Sequence, residues 1–267
     1  VSVAGAPPVV RVDLGRGARA VLTTTATGNV GDGVGDDPLE VAHARARVAA
    51  VMGVPVLYAR QVHGVAVHVV DDPVVDDPVG SGPVPLGGDD DRLGPDVVGV
   101  ADALVTRRRD VAVAVVVADC VPVLLADVTG GVVGVAHAGR RGLVAGVVGA
   151  TVAAMAAQGA EPARIRAVVG PAACGRCYEV PAPMRAEVAD AVAGTGSTTS
   201  WGTPALDLPA GVAHELARSG VRQVHRHGGC TIEEGTWFSH RVASGGRRPA
   251  GAPGRSVGRM AGVVRLL

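Results

Sequence analysis

The chain has 267 residues, of which 48% are apolar, 2% aromatic and 39 glycine, and its 25 basic residues balance 25 acidic ones. Zero net charge leaves no basic footprint for nucleic acid, and no uninterrupted apolar run reaches the roughly 18 residues that would cross a membrane. The N-terminal "VSVAGAPPVVRVDLGRG" has no charged segment leading into an apolar core, so Cys120, Cys174, Cys177 and Cys230 are expected as reduced thiols in a cytoplasmic protein, where metal or catalytic roles outrank disulfides.

In chain order, "ARAVLTTT" predicts a strand. "DPLEVAHARARVAAVMG" predicts a helix with Asp37 as N-cap and Pro38 in its first position. "VPVLYARQV" and "VAVHVV" predict two strands around a turn at Gly64. Residues 71–96 combine Pro, Gly and Asp with little else, which predicts a flexible insertion loop. Strands follow near 97–105, 111–118, 121–127 and 132–136, then a helix over 141–157. "IRAVVG" predicts a strand, "APMRAEVADAVA" a helix, "TTSWGTPALDL" a loop and "PAGVAHELARSG" another helix. "VRQVHRHG" and "GRMAGVVRLL" predict the closing strands. Strands in blocks separated by helices favour a mixed α+β or layered α/β fold over a doubly wound sheet, with residues 1–267 as one domain.

Three apolar runs end in a residue able to hold a metal. Cys120 follows "VAVAVVVAD", and Pro122 keeps the backbone after it extended. His137 ends "GVVGVAHAG" and His63 ends "VLYARQVHG", each close to a glycine that permits near approach of backbone or substrate. A His–Cys–His set leaves one tetrahedral position of Zn²⁺ open, the catalytic rather than the structural pattern. The same residues also suit plain burial, a thiol as a small hydrophobe and a histidine as a hydrogen-bonding turn residue. "CGRCYE" raises zinc or redox work as well. A structural zinc there needs two more ligands, for which "VHRHGGC" offers His225, His227 and Cys230, although the spacing matches no common zinc module.

"RQVHG" at 60–64, "ADALVT" at 101–106, "ADCVPVLLAD" at 118–127, "AHAGRRG" at 136–142, "GPAACGRCYEV" at 170–180 and "WFSHR" at 237–241 together carry a resemblance. They resemble the YfiH family, also called laccase-domain or polyphenol-oxidase-like proteins, related to the human protein FAMIN. The resemblance implies a layered α/β/β/α domain similar to cysteine hydrolases and toxin deamidases. It also implies zinc on His63, Cys120 and His137, with copper as a second choice. The implied activity is phosphorolysis of adenosine, inosine, guanosine or methylthioadenosine, with adenosine deamination besides. Purine nucleosides and phosphate are the implied partners, and a monomer is the default state.

By the same resemblance Cys120, His137 and Arg45 become catalytic candidates, and Asn29, Arg45 and Asp119 candidates for substrate or phosphate. Arg45 suits a bidentate phosphate clamp, or else an ion pair with a neighbouring acid. Asp119 suits a proton shuttle or a carboxylate that orients a ligand histidine. Asp36 also falls on the family pattern, whereas Gly33, Ala44 and Arg140 stand where the family has His, Asn and Trp. Three other readings stay open: a cysteine hydrolase of the peptidoglycan-editing kind, with Cys120 and His137 as nucleophile and base; a copper polyphenol oxidase, poorly served by eight scattered histidines; and a degenerate nucleoside-binding protein.

Overall fold

The computed structural model describes residues 8–32, 34, 37–71, 96–252, 254 and 257–267. Apart from its two end residues, the loop expected at 71–96 lies outside them, as do Gly33 and Asp36.

The strands are, in chain order, β1 (Val9–Val12), β2 (Ala18–Thr23), β3 (Val56–Arg60), β4 (Val67–Val70), β5 (Val97–Val100), β6 (Ala103–Thr106) and β7 (Ala112–Val117). They continue as β8 (Val121–Asp127), β9 (Val132–Ala138), β10 (Arg166–Val169), β11 (Gly196–Thr198), β12 (Pro204–Leu206), β13 (Gln223–Arg226) and β14 (Met260–Leu266). The helices are α1 (Pro38–Met52), α2 (Arg140–Ala145), α3 (Val147–Ala157), α4 (Ala182–Ala191), α5 (Leu208–Arg218) and α6 (His240–Ala243). None of the described helices is long and apolar enough to cross a membrane.

Among the described residues two six-stranded mixed sheets form, ordered β1-β2-β14-β7-β3-β5 and β13-β10-β8-β9-β6-β4, and β11 pairs with β12 beside them. Their inner faces meet through Leu22, Val113 and Val115 on one side and Leu124, Val135 and Val168 on the other. Helix α1 covers the outside of the first sheet, where Ala44, Val48 and Met52 meet Tyr58, Ala114 and Val263. Val147, Val188 and Leu216, from α3, α4 and α5, cover the outside of the second. The fold is therefore mixed α/β in α/β/β/α layers. Because both faces of the central strands are covered, those strands are apolar throughout rather than alternating with polar residues. In β7 the period-two pattern survives as size: Ala112 and Ala114 admit the helix, and Val113 and Val115 fill the space between sheets.

Local signals placed most elements. Asp37 caps α1 as expected, its carboxylate accepting from the N–H of Leu39 at 2.9 Å. The two strands expected around Gly64 are present as β3 and β4, and they belong to opposite sheets. Three expectations need correction. The run 97–105 is two strands in different sheets, β5 and β6, because the chain crosses between layers at Asp102. The helix over 141–157 is broken into α2 and α3 at Gly146, whose φ of +99° is left-handed and suits only glycine without strain. "TTSWGTPALDL", expected as a loop, contains most of the β11–β12 hairpin.

Candidate metal centre

In the first sheet β3, β5 and β7 run parallel. Each passes at the same end into a strand of the second sheet, β4, β6 and β8, which share one direction through their pairings with β6 and β9. These three crossovers carry His63, Asp102 and Asp119–Cys120. Strand β9 runs antiparallel to β8, so His137 returns to the same end, opposite Pro122. Residues far apart in the chain thus gather where the layers exchange strands.

The ligand atoms of His63, Cys120 and His137 all lie within 4.8 Å of one another. Cys120 Sγ is 3.7 Å from His63 Nε2, and the two imidazoles stand edge to face with centroids 4.6 Å apart. His63 is the most open of the three and His137 is buried. Gly139 makes the approach possible: a Cβ there would lie 2.6 Å from His63 Cδ2 and 3.0 Å from Cys120 Sγ. His63 and Asp119 are the only described non-glycine residues with positive φ, at 61° and 79°. Such backbone costs about 1–3 kcal/mol per residue and persists only where the surroundings impose it.

At His63 the constraint comes from Asp102, a fully enclosed carboxylate. It accepts the backbone N–H groups of Val62 (3.2 Å), His63 (2.9 Å) and Gly64 (2.7 Å). Its Oδ1 also lies 2.8 Å from His137 Nδ1. Burial works against ionisation of Asp102, but the bonds from His137, Gly64 and Val62 outweigh it and hold the carboxyl below its usual range. With Nδ1 engaged as donor, His137 presents Nε2 toward the cluster. Burial likewise opposes charge on Cys120, yet the neighbouring His137 and His63 bring its thiol down to about 7. His137 is raised to about 9, burial being overcome by Asp102 and Cys120. One thiolate and two imidazoles form a donor set that suits zinc, with one tetrahedral position left over.

The carboxylate against His137 is therefore Asp102 rather than Asp119. Asp119 faces the other way, accepting from Thr231 Oγ1 and from the backbone N–H of Arg241, both at 2.6 Å. It ties the chain after β13 to the crossover between β7 and β8. Arg45 lines the same cleft, but its Nη1 donates to both oxygens of Asp96 at 3.0 Å and its Nη2 to Asp32 at 2.6 Å. Its Nε donates to the carbonyl of Val30, and its guanidinium lies 4.4 Å over the ring of Tyr58. Asn29 is turned onto backbone, donating to the carbonyl of Gly31 and accepting from the N–H groups of Gly31 and Arg259.

Beside the three ligands, a cleft of 1310 Å³ is lined by Arg140, Arg241, Arg259 and Tyr178. Arg259 donates to the carbonyl of Gly258 at 3.0 Å. Burial lowers its pKa against the pull of Asp119 and Cys120, so a partly desolvated cation sits near the thiol. Sequence reading named neither Asp102 nor Arg259. Asp102 was within reach as the acid in the "ADALVT" run; nothing local marks Arg259.

Residues 17–267 match a family whose description is multi-copper polyphenol oxidoreductase laccase. A Streptomyces griseus protein named purine nucleoside phosphorylase is 50% identical over 241 residues, covering 89% of this chain and 86% of that one. A Mycobacterium tuberculosis protein of the same name is 41% identical over 235 residues, covering 84% and 86%. Among solved structures, Bacillus licheniformis YfiH superposes with a TM-score of 0.76 at 26% identity, covering 98% of each chain. A Neisseria meningitidis protein gives 0.74 at 29%, covering 97% of this chain and 99% of its own.

Proposed function

The chain belongs to the family described as multi-copper polyphenol oxidoreductase laccase, and on that footing we propose that it is a zinc-dependent purine nucleoside phosphorylase that also deaminates adenosine. The observation carrying this reading is the His63–Cys120–His137 cluster, oriented by Asp102 and open to an arginine-lined cleft. The names of the relatives supply the substrate class. A multi-copper oxidase needs several histidine-rich centres; among the described residues His63 and His137 belong to the only histidine-containing cluster of this kind.

Zinc bound there would supply Lewis-acid polarisation of a substrate oxygen or nitrogen. The protein's own groups do the rest. Phosphorolysis breaks the bond from the anomeric carbon to the purine nitrogen, forms a bond from that carbon to phosphate oxygen, and gives the departing base a proton. Arg259, Arg140 and Arg241 supply positive charge where phosphate must enter. Arg45 joins them only by releasing Asp32 and Asp96. Burial first, and the nearby Cys120 second, raise the Tyr178 pKa, so its hydroxyl stays protonated and serves as a neutral donor on the cleft wall. Asp102 keeps His137 in one tautomer throughout.

The test is hypoxanthine release from inosine with and without phosphate, beside metal analysis and conversion of adenosine to inosine. Phosphate-dependent release abolished by a chelator and restored by zinc supports the reading; release indifferent to phosphate refutes it. A second reading, with Cys120 as nucleophile and His137 as base, rests on the contacts of His137 and His63 with Cys120, which bring its thiol down to about 7. Amide cleavage insensitive to chelator and lost in Cys120→Ala would favour that hydrolase. Zinc content with neither activity would favour a binding protein.

A further inference from the structure

A second cluster lies outside the machinery described above. We propose that Cys174, Cys177, Cys230 and Glu233 form a closed structural zinc site that staples the loop after β10 to the loop after β13. Their ligand atoms all lie within 4.8 Å of one another. Thiolates at about 2.3 Å from zinc in a tetrahedron stand roughly 3.8 Å apart, so about 1 Å of closure at most completes the set. Cys177 and Cys230 are buried, and Cys177 Sγ already lies 3.2 Å from Glu233 Oε1.

The backbone supports the same assignment. Cys174-Gly-Arg-Cys177 and Cys230-Thr-Ile-Glu233 share one spacing, ligand-x-x-ligand. The N–H groups of Cys177 and Tyr178 donate to the carbonyl of Cys174 at 2.9 Å, closing the first turn. The second closes through Glu234 N–H on the carbonyl of Cys230 at 3.0 Å. A parallel bridge between Ala172 and Cys230 sets the two turns side by side. Arg176 lies 3.3 Å from both oxygens of Glu233, a cation beside a ligand set rich in negative charge. Binding would displace the protons of the three thiols to solvent and leave no position for a reactant. His227, a candidate from sequence, instead packs edge to face on Trp237 at 5.4 Å.

Such a staple would hold the cleft. Tyr178 directly follows Cys177, and Thr231, directly after Cys230, donates to Asp119 beside Cys120. The N–H of Ala173 donates to the carbonyl of Asp119 at 3.0 Å.

The experiment is metal analysis of the chain and two double variants expressed with zinc. The wild type should hold about two zinc ions per chain and His63→Ala/Cys120→Ala about one, the fourth ligand of the remaining ion being Glu233. Cys174→Ser/Cys230→Ser should lose one ion relative to wild type. Cobalt loaded into folded His63→Ala/Cys120→Ala should give an intense thiolate charge-transfer band and tetrahedral ligand-field bands. A folded His63→Ala/Cys120→Ala chain holding neither zinc nor cobalt overturns the proposal. So does a non-reduced mass two hydrogens low, the mark of a disulfide. Should that variant fail to fold, wild type and Cys174→Ser/Cys230→Ser decide: about one zinc fewer in the double variant supports the site, and equal content refutes it.

Discussion

Replacing Asp102 by Asn probes the centre with the smallest change in shape. Asp102 has two oxygens and four donors: His63 N–H and His137 Nδ1 on Oδ1, Val62 and Gly64 N–H on Oδ2. Asparagine keeps one oxygen. If its NH₂ replaces Oδ2, two part-buried backbone donors face a donor. If it replaces Oδ1, His63 N–H loses its acceptor and His137 must move its proton to Nε2, the atom offered to metal. An orphaned buried donor costs about 1–3 kcal/mol, so the fold should lose roughly 2–5 kcal/mol. Losing the carboxylate behind a ligand histidine typically weakens metal binding about 10–100-fold, or about 1.4–2.8 kcal/mol. Competition against a chromophoric chelator reads the affinity, and urea unfolding reads the stability. Asp119→Asn is the control, because asparagine tolerates the positive φ and Asp119 serves Thr231 and Arg241 instead. Equal zinc affinity in wild type and Asp102→Asn, or an equal loss in both variants, would refute the assignment of Asp102 as the orienting carboxylate.

Gly139→Ala should fold yet lose zinc affinity about tenfold or more, because its Cβ would meet His63 at 2.6 Å, and displaced ligands bind poorly; unchanged affinity in the same competition assay would show that the close approach is dispensable. Arg259→Ala should raise the phosphate KM about tenfold, the worth of one charge-assisted contact of about 1.4 kcal/mol. Arg45→Ala, which strands Asp32 and Asp96, should act chiefly on stability, and a larger KM effect from Arg45 than from Arg259 would reverse that order. Buried Asp127 accepts from Gly130 N–H at 2.9 Å, Glu161 N–H at 2.8 Å and the Arg164 guanidinium. Burial opposes its charge, but the bonds from Glu161, Gly130 and Arg164 prevail and lower its pKa. Its folded value thus lies below the unfolded one of about 3.9. The stabilisation is present above that unfolded value and is lost as pH falls through the folded one. Asp127→Asn should cost about 2–3 kcal/mol at pH 7 and flatten the acid limb of a stability–pH profile; a parallel profile would refute the linkage.

What the sequence determined by itself was mostly local. Asp37 and Pro38 begin α1 because an N-cap and its helix are neighbours. The valine runs marked β7, β8 and β9, and the three candidate metal ligands stood out as polar residues where such runs ended. The quoted motifs identified the family without any coordinates. Periodicity could not say which sheet a strand joins, since strands covered on both faces read alike in either layer; hence 97–105 looked like one strand. The partners of each site residue were equally invisible. Asp102 meets His137 35 positions away, and Asp119 meets Arg241 across 122. Arg45 finds Asp96 at a separation of 51. Such contacts follow from three crossovers meeting at one end of a sandwich, and no pattern among neighbouring residues encodes where distant crossovers will meet.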